Sequence, residues 1–406
     1  MIGSGARVPA LYSAAKYLFA RGRLAPAIQR YWPVFAVICV MSCDSSNATP
    51  ARWPDWRLAA TSSGTSEILR DDGTCTSCLA LQPRPLIDHR TGPGLVDESQ
   101  FVTVDSSGRV WAGNSAGHKV YAPDGDYVAT VGRTGDGPME FRAGGPLFTD
   151  ATGRVHIIDQ ISFRETIVGA DFRLVETRQL PVGPVYDLAP VGEGQRVLVN
   201  AAFLDADQIG KPLHILDSGR VVASFGAPND TAFLASTGLL RRRVAVAPSG
   251  YFVVAKQYEY ELELYSVAGA RLLRIVRPNV WPSPPGGEPK ALAVDDELWG
   301  FVQDVVVDTL DRAWVLSWEP RKEWRNNVSV REAPDGQKIV MPRDQAIPWR
   351  RSRVEVIDLR SGRLIAEQTY DVMLWGFFGP SEMYGYQYVG EGEPQLARFH
   401  LPLTAR

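Results

Sequence analysis

The stretch DSSGRVWAGN begins at Asp105, and 45 residues later DATGRVHIID begins at Asp150. Both open with an acid and a short polar turn, and in both Gly-Arg-Val then starts a run of alternating side chains. A unit that repeats at this spacing is one supersecondary element unable to bury both of its faces alone, so copies must pack on either side of it. From about Glu67 onward the alternation has period two, broken by turns of Gly, Pro, Asp and Asn, and no long stretch has helical spacing. The spacing therefore predicts an all-β chain.

The first unit reads FVTVD, RVWAG, HKVYA and DYVATVG, four strands joined by tight turns. The second begins PLFTD and RVHIID, and weaker copies follow from VYDLAPVGEGQRVLVN, RVAVAPSGYFVVAK, VQDVVVDTLDRAWVLSW and VMLWGFFGPSEMYGYQYVG. The last copy ends one strand short. The unassigned segment CLALQPRPLID, Cys78 to Asp88, is expected to fill that place, giving a six-bladed β-propeller closed by an N-terminal strand.

The cluster DSSGRVWAGNSAGHKVYAPDGDYVATVG, followed by GRTGDGPMEFRAGG, resembles NHL-type six-bladed propellers, and in particular bacterial secreted or lipid-anchored members. The resemblance spans about residues 67 to 403 and is strongest in the first two blades. It departs in blade three, where Gly192-Glu193-Gly194 replaces the acid-led turn, and in blade five, whose strands are separated by a long insertion.

Ahead of the repeats, residues 1–43 carry five basic side chains and no acid. The apolar run Tyr31 to Cys43 is too short for a span, which needs roughly 20 residues, but suits a signal peptide. It ends Val40-Met41-Ser42-Cys43, which resembles a lipobox and implies lipidation of Cys43. A plain signal peptide or a short anchor is the alternative. Residues 44–66, rich in Ser, Thr, Ala and Pro, read as a flexible tether, and 67–406 as the propeller. Without residues 1–43, 38 basic residues face 46 acidic ones, a balance of −8 that disfavours nucleic acid.

In an up-and-down meander the link between second and third strands and the link to the next blade emerge on one rim. Four long segments fall there: 132–144, 201–211, 278–300 and 319–350. The last two are the main rim insertions. Loops of this length usually carry function. Trp281, Trp299, Trp318, Trp324 and Trp349 lie in or beside them, as ligand platforms or as packing for the insertions themselves. Arg241, Arg242 and Arg243 precede the inner strand of blade four, where they could hold an anion or simply be solvated. Asp304, near the start of blade five's inner strand, is the acid best placed for the channel.

Cys75 and Cys78 read first as a disulfide, with free or redox thiols and metal ligation as alternatives. The five histidines do not recur at an inner-strand position; His118 reads as a loop residue and His156, His214 and His400 as strand residues. Glu259, Glu261 and Glu263 alternate as in a half-exposed strand. No catalytic residue and no metal or cofactor site is assigned, though calcium or zinc stays open. The expected protein is a monomeric, lipid-anchored envelope propeller facing the periplasm or exterior, binding a protein, peptide or glycan at its rim without catalysis. The alternative is a channel-metal hydrolase or lyase of the lactonase or amidating-lyase propeller type.

Overall fold

The computed structural model describes residues 66–404 except 85–86, 88–91, 95–100, 115, 193–194, 203–209, 227–240, 279, 283–295, 333–337, 344–347 and 390–392. The leader, Cys43 and nearly all of the tether lie outside the described residues, as does His89. Six sheets form a six-bladed β-propeller. Blade 1 is Phe101–Val104, Val110–Asn114, Gly117–Tyr121 and Tyr127–Val131, each strand antiparallel to the next. Blade 2 is Leu147–Thr149, Val155–Asp159, Arg164–Val168 and Leu174–Gln179; blade 3 is Val185–Val191, Arg196–Ala201, Leu213–Asp217 and Arg220–Phe225. Blade 4 is Arg242–Val246, Phe252–Lys256, Glu261–Tyr265 and Arg271–Val276, and blade 5 is Phe301–Val307, Arg312–Pro320, Arg350–Asp358 and Arg363–Tyr370. Blade 6 is Met373–Gly379, Glu382–Val389 and Glu393–His400, with Gln82–Pro83 as its outer edge.

The first strand of each blade touches the first strands of both neighbouring blades, all the way round. Between every pair of blades the inward residues of two sheets meet. Trp111 and Val120 pack against Ile157 and Val168 between blades 1 and 2, and Val253 and Leu262 against Val305 and Val315 between blades 4 and 5. Ile87, Val110 and Tyr121 meet Tyr384, Tyr386 and Leu396 between blades 6 and 1. Each blade thus buries both faces, as the repeat requires.

The repeated turn has a specific chemistry. Asp105 Oδ1 accepts the backbone N–H of Ser107 (2.9 Å) and Arg109 (3.0 Å), while Oδ2 accepts Arg109 Nε (2.6 Å) and Trp111 Nε1 (2.9 Å). Asp308 repeats every bond with Leu310, Arg312 and Trp314. In blade 2, His156 replaces the indole, and its ring lies between Asp150 Oδ2 (3.1 Å) and Glu165 Oε1 (2.7 Å). Gly108 and Gly153 adopt φ of 78° and 79°, a left-handed conformation that glycine enters without a Cβ penalty. The acid therefore ties a turn to its Arg at the surface and to a buried ring in the next strand.

The segment before blade 1 does more than edge one blade. Ser66–Ile68 runs parallel to the outer strand of blade 4, in register with Arg274 to Val276. Arg70 and Cys75 then bridge to Arg363 and Ala366 on blade 5, and Leu79, Gln82 and Ile87 pair with Leu403, His400 and Leu396 in blade 6. Cys75 and Cys78 form a disulfide, buried against Trp314 and Leu401 where the segment passes from blade 5 to blade 6. The first described residue of this strap, Ser66, belongs to the stretch read from sequence as tether. Paired edge strands are also protected from edge-to-edge association.

Two sequence readings are corrected. His118 is a strand residue, fully buried with its ring edge-on to Phe141 at 4.7 Å. Glu261 and Glu263 belong to a strand buried along its whole length, because Lys256, Arg274 and Arg271 lie over their carboxylates. Only Glu259, beside Lys256 in the preceding turn, faces solvent.

Candidate functional site at the loop-rich mouth of the channel

Inner strands run from the insertion rim towards the acid-led turns. Counting back four residues from the first residue of each turn (Asp105, Asp150, Val191, Ala247, Asp308 and Pro380) gives Phe101, Pro146, Asp187, Arg243, Asp304 and Gly376. The ladders agree where they can be compared, since Asp187, Arg243, Asp304 and Gly376 pair with Asn200, Ala255, Leu316 and Tyr384 of the second strands. One level of the ring therefore carries Asp, Arg, Asp and a gap on consecutive blades. Just before it the ladder bulges in blades 3, 5 and 6, at Tyr186, Gln303 and Trp375. Such bulges re-aim side chains near functional sites.

An inner strand is the inner edge of its sheet, so its outward N–H groups need partners from the next blade. The carboxylates supply them. Asp187 Oδ2 accepts Val244 N–H of the next blade (2.7 Å), and Asp304 Oδ2 accepts Phe377 N–H of the next blade (2.7 Å) while its Oδ1 accepts the N–H of its own strand neighbour Val305 (2.8 Å). Gly376 has no side chain to fill the space in front of Asp304. A Cβ there would sit 2.9 Å from both Asp304 Oδ2 and the Tyr384 hydroxyl, so the missing atom is what lets phenol and carboxyl share this place.

Burial pushes the Asp304 carboxyl up to about 7, with the Asp187 carboxylate adding repulsion; the Phe377 N–H, Arg243 and the Val305 N–H oppose it. Burial also raises Asp187, against the attraction of Arg243 and the N–H groups of Val244 and Leu188. The Tyr384 phenol is raised well above its ordinary value, first by burial and then by Asp304. The ring thus holds one carboxyl close to half-protonation at neutral pH beside a guanidinium and a neutral phenol. That is the poise of a group able to give or take a proton.

Above this level, half-buried aromatic rings surround the mouth. Trp318 stands 5.3 Å from Phe301 and 5.0 Å, edge to face, from Trp375, which in turn meets Tyr386 at 5.5 Å. Arg241 lies over the Tyr186 ring at 5.2 Å and Arg350 over Phe301 at 5.3 Å. The Trp318 indole donates to Leu374 carbonyl (2.7 Å), whereas Trp375 Nε1 is buried without a hydrogen-bond partner among the described residues.

Of the residues singled out from sequence, Arg241, Arg243, Asp304 and Trp318 meet here. Arg242 and Arg243 do not precede the inner strand of blade 4, as read from sequence, but form its first two residues; Arg242 donates its backbone N–H to Asn200 Oδ1 (2.7 Å), with its guanidinium within the field of Glu263 and Glu259. Trp299 and Trp324 are buried with Tyr258, Leu298 and Val340 in a small core of the insertions' own, and Trp349 packs on Trp324 at 5.7 Å. The insertion of blade 5 folds as a short 3-10 turn, Trp324–Asn327, and a hairpin, Val328–Glu332 with Lys338–Pro342. Its basic residues are largely committed too: Arg351 and Arg353 pair with Glu319, and Arg321 with Asp371. Trp281 lies apart, at the seam between blades 4 and 5. Asp187, Tyr186, Trp375 and Tyr384 were not singled out from sequence, although counting four back from each turn finds Asp187 directly.

No family model matches the chain, and no curated protein matches it. Among solved structures, a candidate exported protein of Bacteroides fragilis aligns with 83% of this chain and 99% of its own, at 12% identity and a TM-score of 0.53. Virginiamycin B lyase of Staphylococcus aureus aligns with 80% of this chain and 99% of its own, at 12% identity and a TM-score of 0.42. At 12% identity the likeness to the exported protein is one of fold alone, with no NHL assignment attached.

Proposed function

We propose that this chain is a binding propeller of the cell envelope, monomeric and held to a membrane through lipid on Cys43, that takes its protein, peptide or glycan ligand at the channel mouth. The observation that carries this reading is the convergence on one rim of Tyr186, Phe301, Trp318 and Trp375 with the charged level Asp187, Arg243 and Asp304. Aromatic faces offer apolar area at low entropic cost, and a few fixed charges beneath them give orientation.

The test is capture from an envelope extract by the full chain, compared with Trp318→Ala and with Arg241→Ala. Capture that weakens at least tenfold in both variants, with melting unchanged in Arg241→Ala, supports the mouth as the site; equal capture by all three proteins refutes it. A second reading, a hydrolase or lyase working in the channel, is favoured by one observation, the neutral-range carboxyl of Asp304 beside Tyr384. Stoichiometric calcium or zinc in the purified chain would favour the metal-dependent form of that reading.

A further inference from the structure

The outer strands of blades 1 to 5 share one irregularity. In each, a single residue is left over where the ladder to the third strand shifts register: Val128, Val175, Val222, Leu272 and Ile365. Such a bulge leaves its extra residue unpaired and re-aims the side chain. All five extra residues are apolar, at sheet edges where charge or proline is the usual protection. Their surroundings divide them. Ile365 packs against the buried cluster that holds Cys75, Cys78 and Leu79, and its carbonyl accepts Cys75 N–H at 3.0 Å. Leu272 is half-buried in the strand that Ser66–Ile68 edges. Val128, Val175 and Val222, on blades that the described strap does not touch, are 43%, 48% and 56% exposed. Bulge residues are thus half-buried where the strap runs and exposed where it does not.

The course of the strap indicates what can reach the bare ones. It runs parallel to the outer strands of blades 4 and 5 on its way to blade 6, so the same course followed backwards from Ser66 leads to blade 3. Ser66 faces Arg274, the second residue after Leu272, and Cys75 faces Ala366, the first after Ile365, an advance of about ten residues per blade. Ten residues ahead of Ser66 stands Trp56, and the second residue after Val222 is Ser224. The same pace therefore brings Trp53-Pro54-Asp55-Trp56 to the bulge of blade 3. These two indoles are the largest apolar side chains between Cys43 and Ser66, in residues that lie outside the described ones. Pro50 and Pro54 lack a backbone N–H, which suits the segment to side-chain contact rather than to a further ladder strand.

We infer that the outer edge of blade 3 is a docking surface for this chain's own residues 50–65, with Trp53 and Trp56 seated over Val222. An indole laid on a β-branched side chain at an edge buries apolar area that neither group buries alone. The strap then serves four blades rather than three. Val128 and Val175, further round the ring, stay bare. The surface is separate from the channel mouth and does not depend on it.

Tryptic cleavage of the full chain after Arg52 and Arg57, with the products identified by mass, tests this, because a docked segment is cut only while it is released. Val222→Asp puts a charge beneath the indoles and should raise the rate at Arg57 about tenfold, and Trp53→Ala combined with Trp56→Ala should raise it as much. Val128→Asp, the equivalent change on blade 1, should leave the rate as it is in the unchanged chain. Val222 is exposed, so melting of Val222→Asp should be unchanged and its faster cleavage cannot be unfolding. Equal rates in all four proteins, or equal acceleration by Val222→Asp and Val128→Asp, would overturn the inference. So would protection that is lost on dilution, which would make a second copy of the chain the occupant.

Discussion

At the scale of the residue, acids in this molecule divide by the company they keep. Burial pushes the Asp105 and Asp308 carboxyls up, but hydrogen bonds from indole, guanidinium and backbone N–H outweigh it and leave both below the usual carboxylate range. Among the described residues Asp304 receives two backbone N–H bonds, and it faces another carboxylate, so burial prevails. The consequence for stability has a definite sign. Between about pH 4, where an ordinary carboxyl titrates, and about 7, the unfolded chain has released a proton that folded Asp304 keeps. Stability therefore falls as pH rises through that window. Asp304→Asn should flatten the fall, read from urea midpoints at pH 4.5, 5.5, 6.5 and 7.5. An unchanged slope would mean that the carboxyl titrates as if exposed.

At the scale of the element, the unit that recurs is the turn with its acid. Asp308 holds Arg312 and Trp314 at once, so Asp308→Ala strands a buried indole N–H and leaves the Arg312 guanidinium without its carboxylate. The expected loss is about 3 kcal/mol in urea denaturation, whereas Asp124→Ala in an exposed turn should change stability by less than about 0.5 kcal/mol. A loss below 1 kcal/mol at Asp308 would show that the repeat is conserved within the chain for some reason other than this bond set. Strands and turns of this kind were legible in the sequence because their signals are local, alternation and a Gly or Asp at a left-handed position. The reading failed where the signal was not local. Alternation of Glu with Tyr and Leu at 259–263 looks half-exposed until a neighbouring strand supplies Arg271 and Arg274 to cover the acids. The rim tryptophans were visible as residues, but whether an indole faces a ligand or its own insertion depends on contacts such as Trp324 with Trp349, which no spacing encodes.

At the scale of the whole molecule, the ring positions everything else: Asp187, Arg243 and Asp304 come from three blades. The count of six was legible from the six copies of the repeat, and the missing fourth strand of the last copy pointed to an N-terminal closing strand, yet the strap was only half foreseen. Its first part, Ser66–Ile68, has no apolar alternation of its own and is defined by the parallel edge of blade 4 that receives it. The strap touches three blades in succession, and Ile87 packs in the seam between the last blade and the first. The measurement that tests this arrangement most directly is hydrogen exchange on the chain with and without residues 66–87. The account predicts that removal strips protection from the strands the strap covers, Arg271–Val276, Arg363–Tyr370 and Glu393–His400, and spares the outer strands Tyr127–Val131, Leu174–Gln179 and Arg220–Phe225 of blades 1 to 3. Protection of all six of these strands undiminished by the deletion would contradict it.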